Sequence, residues 1–165
     1  MGKKLPVILN IEEFNKILKH TSKPHHKLAF KLGFLCGLRI SEIVKLKKND
    51  IDRSRGMLYI RQAKGKKDRY VPIPAPLRKD LKHIPIKCKK RSLQAAFDDK
   101  VFKAKITKNV TFHTLRHSCA SYYLSQGMDI KQVQQLLGHS RITTTEIYLH
   151  TNPEAIQKRM EEIWK

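Results

Sequence analysis

Apolar residues recur with the period of an α-helix along most of the chain. From Met57 this helical pattern gives way, in one place, to a pattern typical of paired β-strands. The segments MLYIRQ and RYVPIP are short and rich in Tyr, Val and Ile, and the polar, glycine-containing segment AKGKKD separates them. This arrangement predicts a β-hairpin. The prolines of the second segment predict that its strand lies at a sheet edge, because proline has no N–H to donate to a neighbouring strand.

Helices are predicted on both sides of the hairpin. Asn10 is a good cap for a first helix, and Pro24 is a good first residue for a second helix that ends at Gly37. Ser41 is a candidate cap for a third helix. After the hairpin, helical patterns occur in LQAAFDDKVFKAKI, TFHTLRHSCASYYLSQG, DIKQVQQLLG, ITTTEIYL and PEAIQKRMEEIWK. We therefore expect a mostly α-helical α+β fold, while the segment LRKDLKHIPIKCKKRS supports no assignment.

The balance of charges indicates the class of partner. The chain has 35 Lys and Arg against 14 Asp and Glu, a formal net charge of +21. A polyanion would relieve the self-repulsion that this charge produces. Nucleic acid is therefore the leading partner, and an anionic membrane surface is the second possibility. A chain of 165 residues is the size of one ordinary domain, so we expect a single domain over residues 1–165.

Cysteine usage and hydropathy indicate a cytoplasmic protein. Cys36, Cys88 and Cys119 are an odd number of thiols at wide spacings without a C-x-x-C pair, so neither a disulfide framework nor a zinc ribbon is indicated. The sequence has no apolar run long enough to span a membrane, and its start, MGKKLPVILN, lacks the apolar stretch of a signal peptide.

Side chains that suit chemistry at a phosphodiester occur in four motifs. These motifs are GLRISEIVKL, AKGKKDRYVP, HTLRHS and LLGHSRITTTEIY. Arg39 and Arg116 could each grip nonbridging oxygens with a planar set of donors, and they stay charged at any working pH. His113 and His139 could move protons or add hydrogen bonds near neutral pH.

A leaving-group acid and a nucleophile complete the set. Lys64, in the segment between the two strands, could protonate a leaving oxygen if nearby arginines lower its pKa. The Tyr148 phenol, whose free pKa is about 10, becomes a competent nucleophile when cationic neighbours stabilise its phenolate. Together these residues would supply every role in phosphoryl transfer without a metal ion or cofactor.

Helical spacing supports part of this interpretation. His113 and Arg116 lie three residues apart, on one face of a predicted helix, so both could point at one phosphate. Glu42 lies three residues after Arg39, so its carboxylate could hold that guanidinium in position.

Spacing also leaves alternatives open. His113 and His117 could form a metal-binding pair, but HTLRH lacks the glutamate of a zinc protease and no third ligand is evident. The hairpin contains several lysines, and spacing alone does not single out Lys64. Tyr148 taken alone is more typical of a core aromatic than of a nucleophile.

The order of these residues along the chain resembles the tyrosine recombinase (phage integrase) family. The set is Arg39, Lys64, His113, Arg116, His139 and Tyr148, with the motifs GLRISE, KGKKDRYVPI, HTLRHS and LLGHS. The motifs are most similar to those of Xer-type and archaeal members, and the resemblance covers almost the whole chain. It implies the family's catalytic-domain fold, mostly helical with a small antiparallel sheet that carries the catalytic lysine.

The resemblance also implies a role for each residue. Tyr148 would attack the scissile phosphate and form a 3'-phosphotyrosyl link to DNA, Lys64 would protonate the departing 5' oxygen, and His113 would act in proton transfer. The residues that would stabilise the transition state are Arg39, Arg116 and His139. Further DNA contacts are expected from Lys45, Lys66, Lys67, Arg69 and Arg141.

The partners implied are double-stranded DNA and further copies of the chain. We expect a monomer when free, a homo-tetramer on paired DNA sites, a cytoplasmic location with the nucleoid, and no membrane. The last helix, within residues 153–165, would pack either on its own domain or on a neighbouring protomer.

One departure from the family keeps other functions open. The family's N-terminal, SAM-like core-binding domain is expected to be absent from residues 1–165. An accessory DNA-binding protein with the same fold, and a DNA-relaxing enzyme similar to type IB topoisomerases, are therefore the alternatives to a site-specific recombinase.

Overall fold

The N-terminal part of the chain forms two helices. The computed structural model describes residues 6–61, 67–138 and 153–165. Helix α1 spans Ile11–Lys19, and the Asn10 side chain caps it by accepting the Glu13 N–H at 2.8 Å. Helix α2 spans Pro24–Cys36 and ends at Gly37, whose left-handed φ of 64° favours glycine. Both helices confirm the sequence-based prediction.

Helix α3 begins one turn after α2 and is short. It spans Ile40–Ile43, and Arg39 is its N-cap residue. The Glu42 carboxylate turns back and accepts the Arg39 backbone N–H at 2.8 Å. The prediction that Ser41 caps this helix is wrong, because Glu42 stabilises the helix start and Ser41 lies inside the helix.

Three antiparallel strands follow. Strands β1 (Ile51–Asp52), β2 (Met57–Ile60) and β3 (Arg69–Pro72) form a sheet in the order β1-β2-β3. The β2–β3 pairing confirms the predicted hairpin, and β3 lies at the sheet edge as its proline requires. The two-residue strand β1 is too short to leave a pattern in the sequence.

The remaining regular elements of the described chain are helices. Short 3₁₀ helices span Lys48–Asp50, Ala75–Leu77 and Asp80–His83, and α-helices follow at Lys90–Lys103 (α4), Phe112–Ser125 (α5), Ile130–Leu137 (α6) and Pro153–Ile163 (α7). The predicted helix in ITTTEIYL lies outside the described residues. Across the described ranges, no helix has both the length and the apolar character needed to cross a membrane.

Helix α2 forms the centre of the core. Most of its residues are buried, and it packs along α5. Gly33 permits this close approach, because a Cβ atom there would lie 3.0 Å from Leu115 Cδ1. The Phe34 ring stacks on Phe14 of α1 at a centroid distance of 4.2 Å. The end of α2 is thereby fixed next to α3 and α5, where the predicted site residues lie.

The last helix packs on its own domain. Ile156 and Met160 of α7 are buried. The Trp164 indole N–H donates to the Tyr123 hydroxyl at 3.2 Å, and the Trp164 ring stacks on Tyr122 at a centroid distance of 5.4 Å. This packing is one of the two arrangements that the sequence left open.

We predict that Tyr123→Phe lowers the free energy of unfolding by about 1–2 kcal/mol. The Tyr123 hydroxyl donates to the Leu35 carbonyl at 2.8 Å and accepts from Trp164, so its removal leaves two partly or fully buried groups without this partner. Denaturant unfolding followed by circular dichroism measures the change. Tyr122→Phe is the matched control, because that side chain is partly exposed and should change stability by less than about 0.5 kcal/mol. Equal losses in both variants would contradict the prediction.

Candidate active site

Arg116 lies where the C-terminal ends of two helices meet. Arg116 belongs to α5 and is only 4% exposed. Its guanidinium donates to the carbonyl of Gly37, after α2, and to the carbonyl of Leu137, in α6, both at 2.6 Å. Carbonyls at a helix end lack intrahelical partners and carry partial negative charge, so they suit a cation. Two helix ends therefore fix the position of Arg116.

Burial and neighbouring positive charges disfavour the charged form of Arg116. Burial, and then the charges on Arg39 and Arg69, lower the pKa of Arg116 to about 10. The guanidinium remains protonated at neutral pH. A bound phosphate would relieve the repulsion among these cations, so the cluster has the electrostatic character of an anion site.

Arg39 enters the same cluster from the start of α3. Its guanidinium donates to Glu42 Oε1 at 3.3 Å, and its side chain is 30% exposed. The predicted contact between Arg39 and Glu42 is therefore present. Because Arg39 lowers the pKa of Arg116, the structure brings these two predicted phosphate-binding residues within electrostatic range of each other.

His113 lies one turn before Arg116 on α5. Partial desolvation, followed by the charges of His117, Arg116 and Arg39, lowers the pKa of His113 below its ordinary value. The imidazole is therefore neutral at pH 7 and can accept a proton. The His113 and His117 rings meet edge to face at a centroid distance of 4.7 Å. In the part of the chain that the structure describes, no group of three or more His, Cys, Asp or Glu residues is placed to hold a metal ion.

Glu42 has a second partner that the sequence did not reveal. Arg69 donates to Oε1 of Glu42 at 2.9 Å through Nη1 and to Oε2 at 3.2 Å through Nη2. It also donates through Nε to the Leu136 carbonyl at 3.2 Å. The Arg69 side chain is only 10% exposed, so it lies inside the site. The sequence analysis expected a DNA contact from Arg69 and did not predict these bonds.

Strand register explains the inward direction of Arg69. Arg69 pairs with Ile60, and Tyr70 pairs with Tyr59. Directly opposed residues of antiparallel strands share a face of the sheet. Ile60 is buried, so Arg69 shares the inner face, while Tyr70 is exposed. The sequence signal for the inward direction of Arg69 is therefore the pairing of RYVP with MLYI in this register.

The remaining predicted residues divide into two groups. Lys45 and Lys67 are exposed, as a role in DNA binding requires. The others lie outside the described residues, and they are Lys64, Lys66, His139, Arg141 and Tyr148. The described site thus brings together Arg39, Glu42, His113 and Arg116 and adds Arg69.

The comparison with protein families is decisive. The model of the phage integrase family matches residues 8–155. The chain belongs to the phage integrase family. This confirms the resemblance found in the sequence.

Individual family members support the same assignment. The tyrosine recombinase XerA of Thermococcus onnurineus is 36% identical over 179 aligned positions, which cover 97% of this chain and 64% of the relative. The crystal structure of a XerA recombinase aligns with a TM-score of 0.75 and 28% identity over 95% of this chain and 65% of that one. This alignment confirms the predicted fold. The chain spans just under two thirds of the length of these relatives.

A DNA complex also shares the fold. The structure of a lambda integrase tetramer bound to a Holliday junction aligns with a TM-score of 0.69 at 22% identity, over 89% of this chain and 52% of that one.

We predict that His113 titrates with a midpoint below about 6.5, the value of an unperturbed imidazole. Its partial desolvation and the neighbouring positive charges disfavour the imidazolium. The measurement is an NMR titration of the His113 ring carbon and proton signals. His117→Gln should raise the midpoint, because it removes one of these charges; a wild-type midpoint at or above that of free histidine would refute the electrostatic account.

Proposed function

We propose that this chain is the catalytic domain of a site-specific DNA recombinase that cleaves and rejoins strands through Tyr148. The observation that carries the proposal is the cluster of Arg39, His113 and Arg116 at the end of α2, which suits a phosphate. Membership of the phage integrase family supports it. The formal charge of +21 supports DNA as the partner.

In the proposed reaction the phenol oxygen of Tyr148 attacks the scissile phosphorus. Neutral His113 accepts the phenol proton, and the bond from phosphorus to the 5' oxygen breaks while Lys64 protonates that oxygen. A 3'-phosphotyrosine and a free 5' hydroxyl result. Charge builds up on the nonbridging oxygens during attack, and the groups proposed to stabilise it are Arg39, Arg116 and His139.

The reverse reaction completes the exchange. A 5' hydroxyl attacks the phosphotyrosine, returns the proton and releases Tyr148. One phosphodiester is broken and one is formed, so the step needs no nucleotide hydrolysis, metal ion or cofactor. Fixed guanidinium groups carry the stabilisation because they keep their charge throughout the cycle.

The proposed assembly is a monomer when free and a homo-tetramer on two DNA duplexes. The tetrameric lambda integrase complex, which shares the fold, supports this arrangement. Action on DNA would place the protein in the cytoplasm with the nucleoid. Exposed Lys45 and Lys67, together with Lys66 and Arg141, are the proposed additional DNA contacts.

We predict that a suicide substrate, a matched DNA site with a nick next to the scissile phosphate, traps wild-type protein as a covalent adduct. The nick lets the short 5' fragment diffuse away, so the phosphotyrosine cannot be reversed. Tyr148→Phe should give no adduct because phenylalanine has no hydroxyl, while DNA binding persists. Denaturing gel electrophoresis separates the adduct from free protein.

Tyr122→Phe is the control for this experiment and should trap as much DNA as the wild type. An accessory DNA-binding protein would bind the site and give no adduct in any variant. A trap in Tyr148→Phe equal to that of the wild type would assign the nucleophile to another residue.

A further inference from the structure

The Arg69 side chain links three elements of the described site. It begins β3, its guanidinium bonds both carboxylate oxygens of Glu42 in α3, and its Nε donates to Leu136 in α6. We propose that Arg69 is a positioning residue for strand cleavage, which holds Glu42, and through it Arg39, in place against the end of α6. This inference rests on the proposed function.

The geometry at Glu42 shows why Arg69 sets the orientation of the carboxylate. Oε1 accepts from Arg69 at 2.9 Å and from the Arg39 guanidinium at 3.3 Å. Oε2 accepts from Arg69 at 3.2 Å and from the Arg39 backbone N–H at 2.8 Å. The two bonds from the planar Arg69 guanidinium fix the plane of the Glu42 carboxylate. The orientation of this plane then determines where the single, longer bond places the Arg39 side chain.

The contact with α6 is equally close. Gly138 ends α6 with a φ of 68°, and a Cβ atom there would lie 2.9 Å from Arg69 Cδ and 3.0 Å from Cζ. Arg69 therefore packs directly on the glycine that ends the helix. The next carbonyl along, that of Leu137, binds Arg116. Two arginines from different elements thus bond successive carbonyls at the end of α6.

Arg69 also controls the charge state of Glu42. Glu42 is 6% exposed, and burial by itself raises its pKa. Hydrogen bonds and charge from Arg69, and then from Arg39, outweigh burial and hold the pKa below its ordinary value. Among the described residues, the charged groups that face this carboxylate are Arg39, Arg69 and Arg116. Loss of Arg69 would remove the largest group of favourable interactions.

The test compares the rate of cleavage of the suicide substrate at about pH 6 and about pH 8. In Arg69→Met the pKa of Glu42 rises, so the carboxylate that holds Arg39 is lost as the pH falls and returns as it rises. We expect cleavage to fall by about tenfold or more at the lower pH. The loss of cleavage should be clearly smaller at the higher pH. In the wild type, the ratio of the cleavage rate at the higher pH to the rate at the lower pH should stay nearer to one.

Arg69→Lys separates charge from geometry. Lysine keeps the positive charge that maintains ionised Glu42, but its ammonium cannot reproduce the planar pair of bonds and the bond to Leu136. We expect a wild-type pH ratio with a reduced rate. Arg78→Lys is the matched control, because Arg78 is 55% exposed, pairs only loosely with Glu161 at 3.5 Å and lies outside the site. It should leave both the rate and the pH ratio unchanged.

The outcomes separate this proposal from the proposed function. No cleavage by the wild type would overturn the function and this inference with it. Two outcomes with an active wild type would overturn the positioning role alone. One is an unaltered cleavage rate in Arg69→Met, and the other is a cleavage rate that this variant lowers by the same factor at both pH values. If near-UV circular dichroism shows that Arg69→Met is unfolded, Arg69→Lys decides: a full rate overturns the proposal, and a reduced rate in a folded protein supports it.

Discussion

The buried carboxylate of Glu42 is the interaction on which the arrangement of the site depends. A carboxylate removed from water is tolerated only when charges and hydrogen bonds replace its hydration. Arg69 provides this from β3 and Arg39 provides it from the start of α3. Leaving one partner of such a buried pair alone typically costs about 3–5 kcal/mol. The strand, the short helix and the end of α6 are therefore confined to one relative placement.

Arg116 applies the same principle to helix ends. The carbonyls of Gly37 and Leu137 would otherwise be left without intrahelical partners, and a guanidinium satisfies both. The same contacts keep a permanent cation beside Arg39 and Arg69. The carbonyl dipoles and the Glu42 carboxylate thus offset the repulsion among the three clustered arginines. Anion affinity follows from this arrangement because a phosphate would meet donors that need little reorganisation.

The sequence predicted what depends on local signals. Asn10, Pro24 and Gly37 act through the backbone nearby, so they correctly marked helix boundaries. The family resemblance was confirmed because it rests on residue order. Ser41 was wrongly assigned as a cap, because the helix begins one residue before it and Glu42 accepts the N–H of the actual N-cap residue, Arg39. The inward direction of Arg69 depends on pairing with another strand, so its own neighbours in the sequence could not indicate it.

The alternation of the hairpin strands has a consequence for how such a chain can change over evolution. Arg69 and Tyr70 are adjacent but lie on opposite faces, one toward Glu42 and the other exposed above Tyr59. A one-residue slip in the pairing of β3 would exchange them, placing a tyrosine beside the carboxylate. Insertions between the strands need not cause this, because lengthening a connection costs little and leaves the pairing intact. A longer segment before Arg69 would therefore leave the direction of Arg69 unchanged, whereas an altered spacing from Arg69 through Pro72 would not.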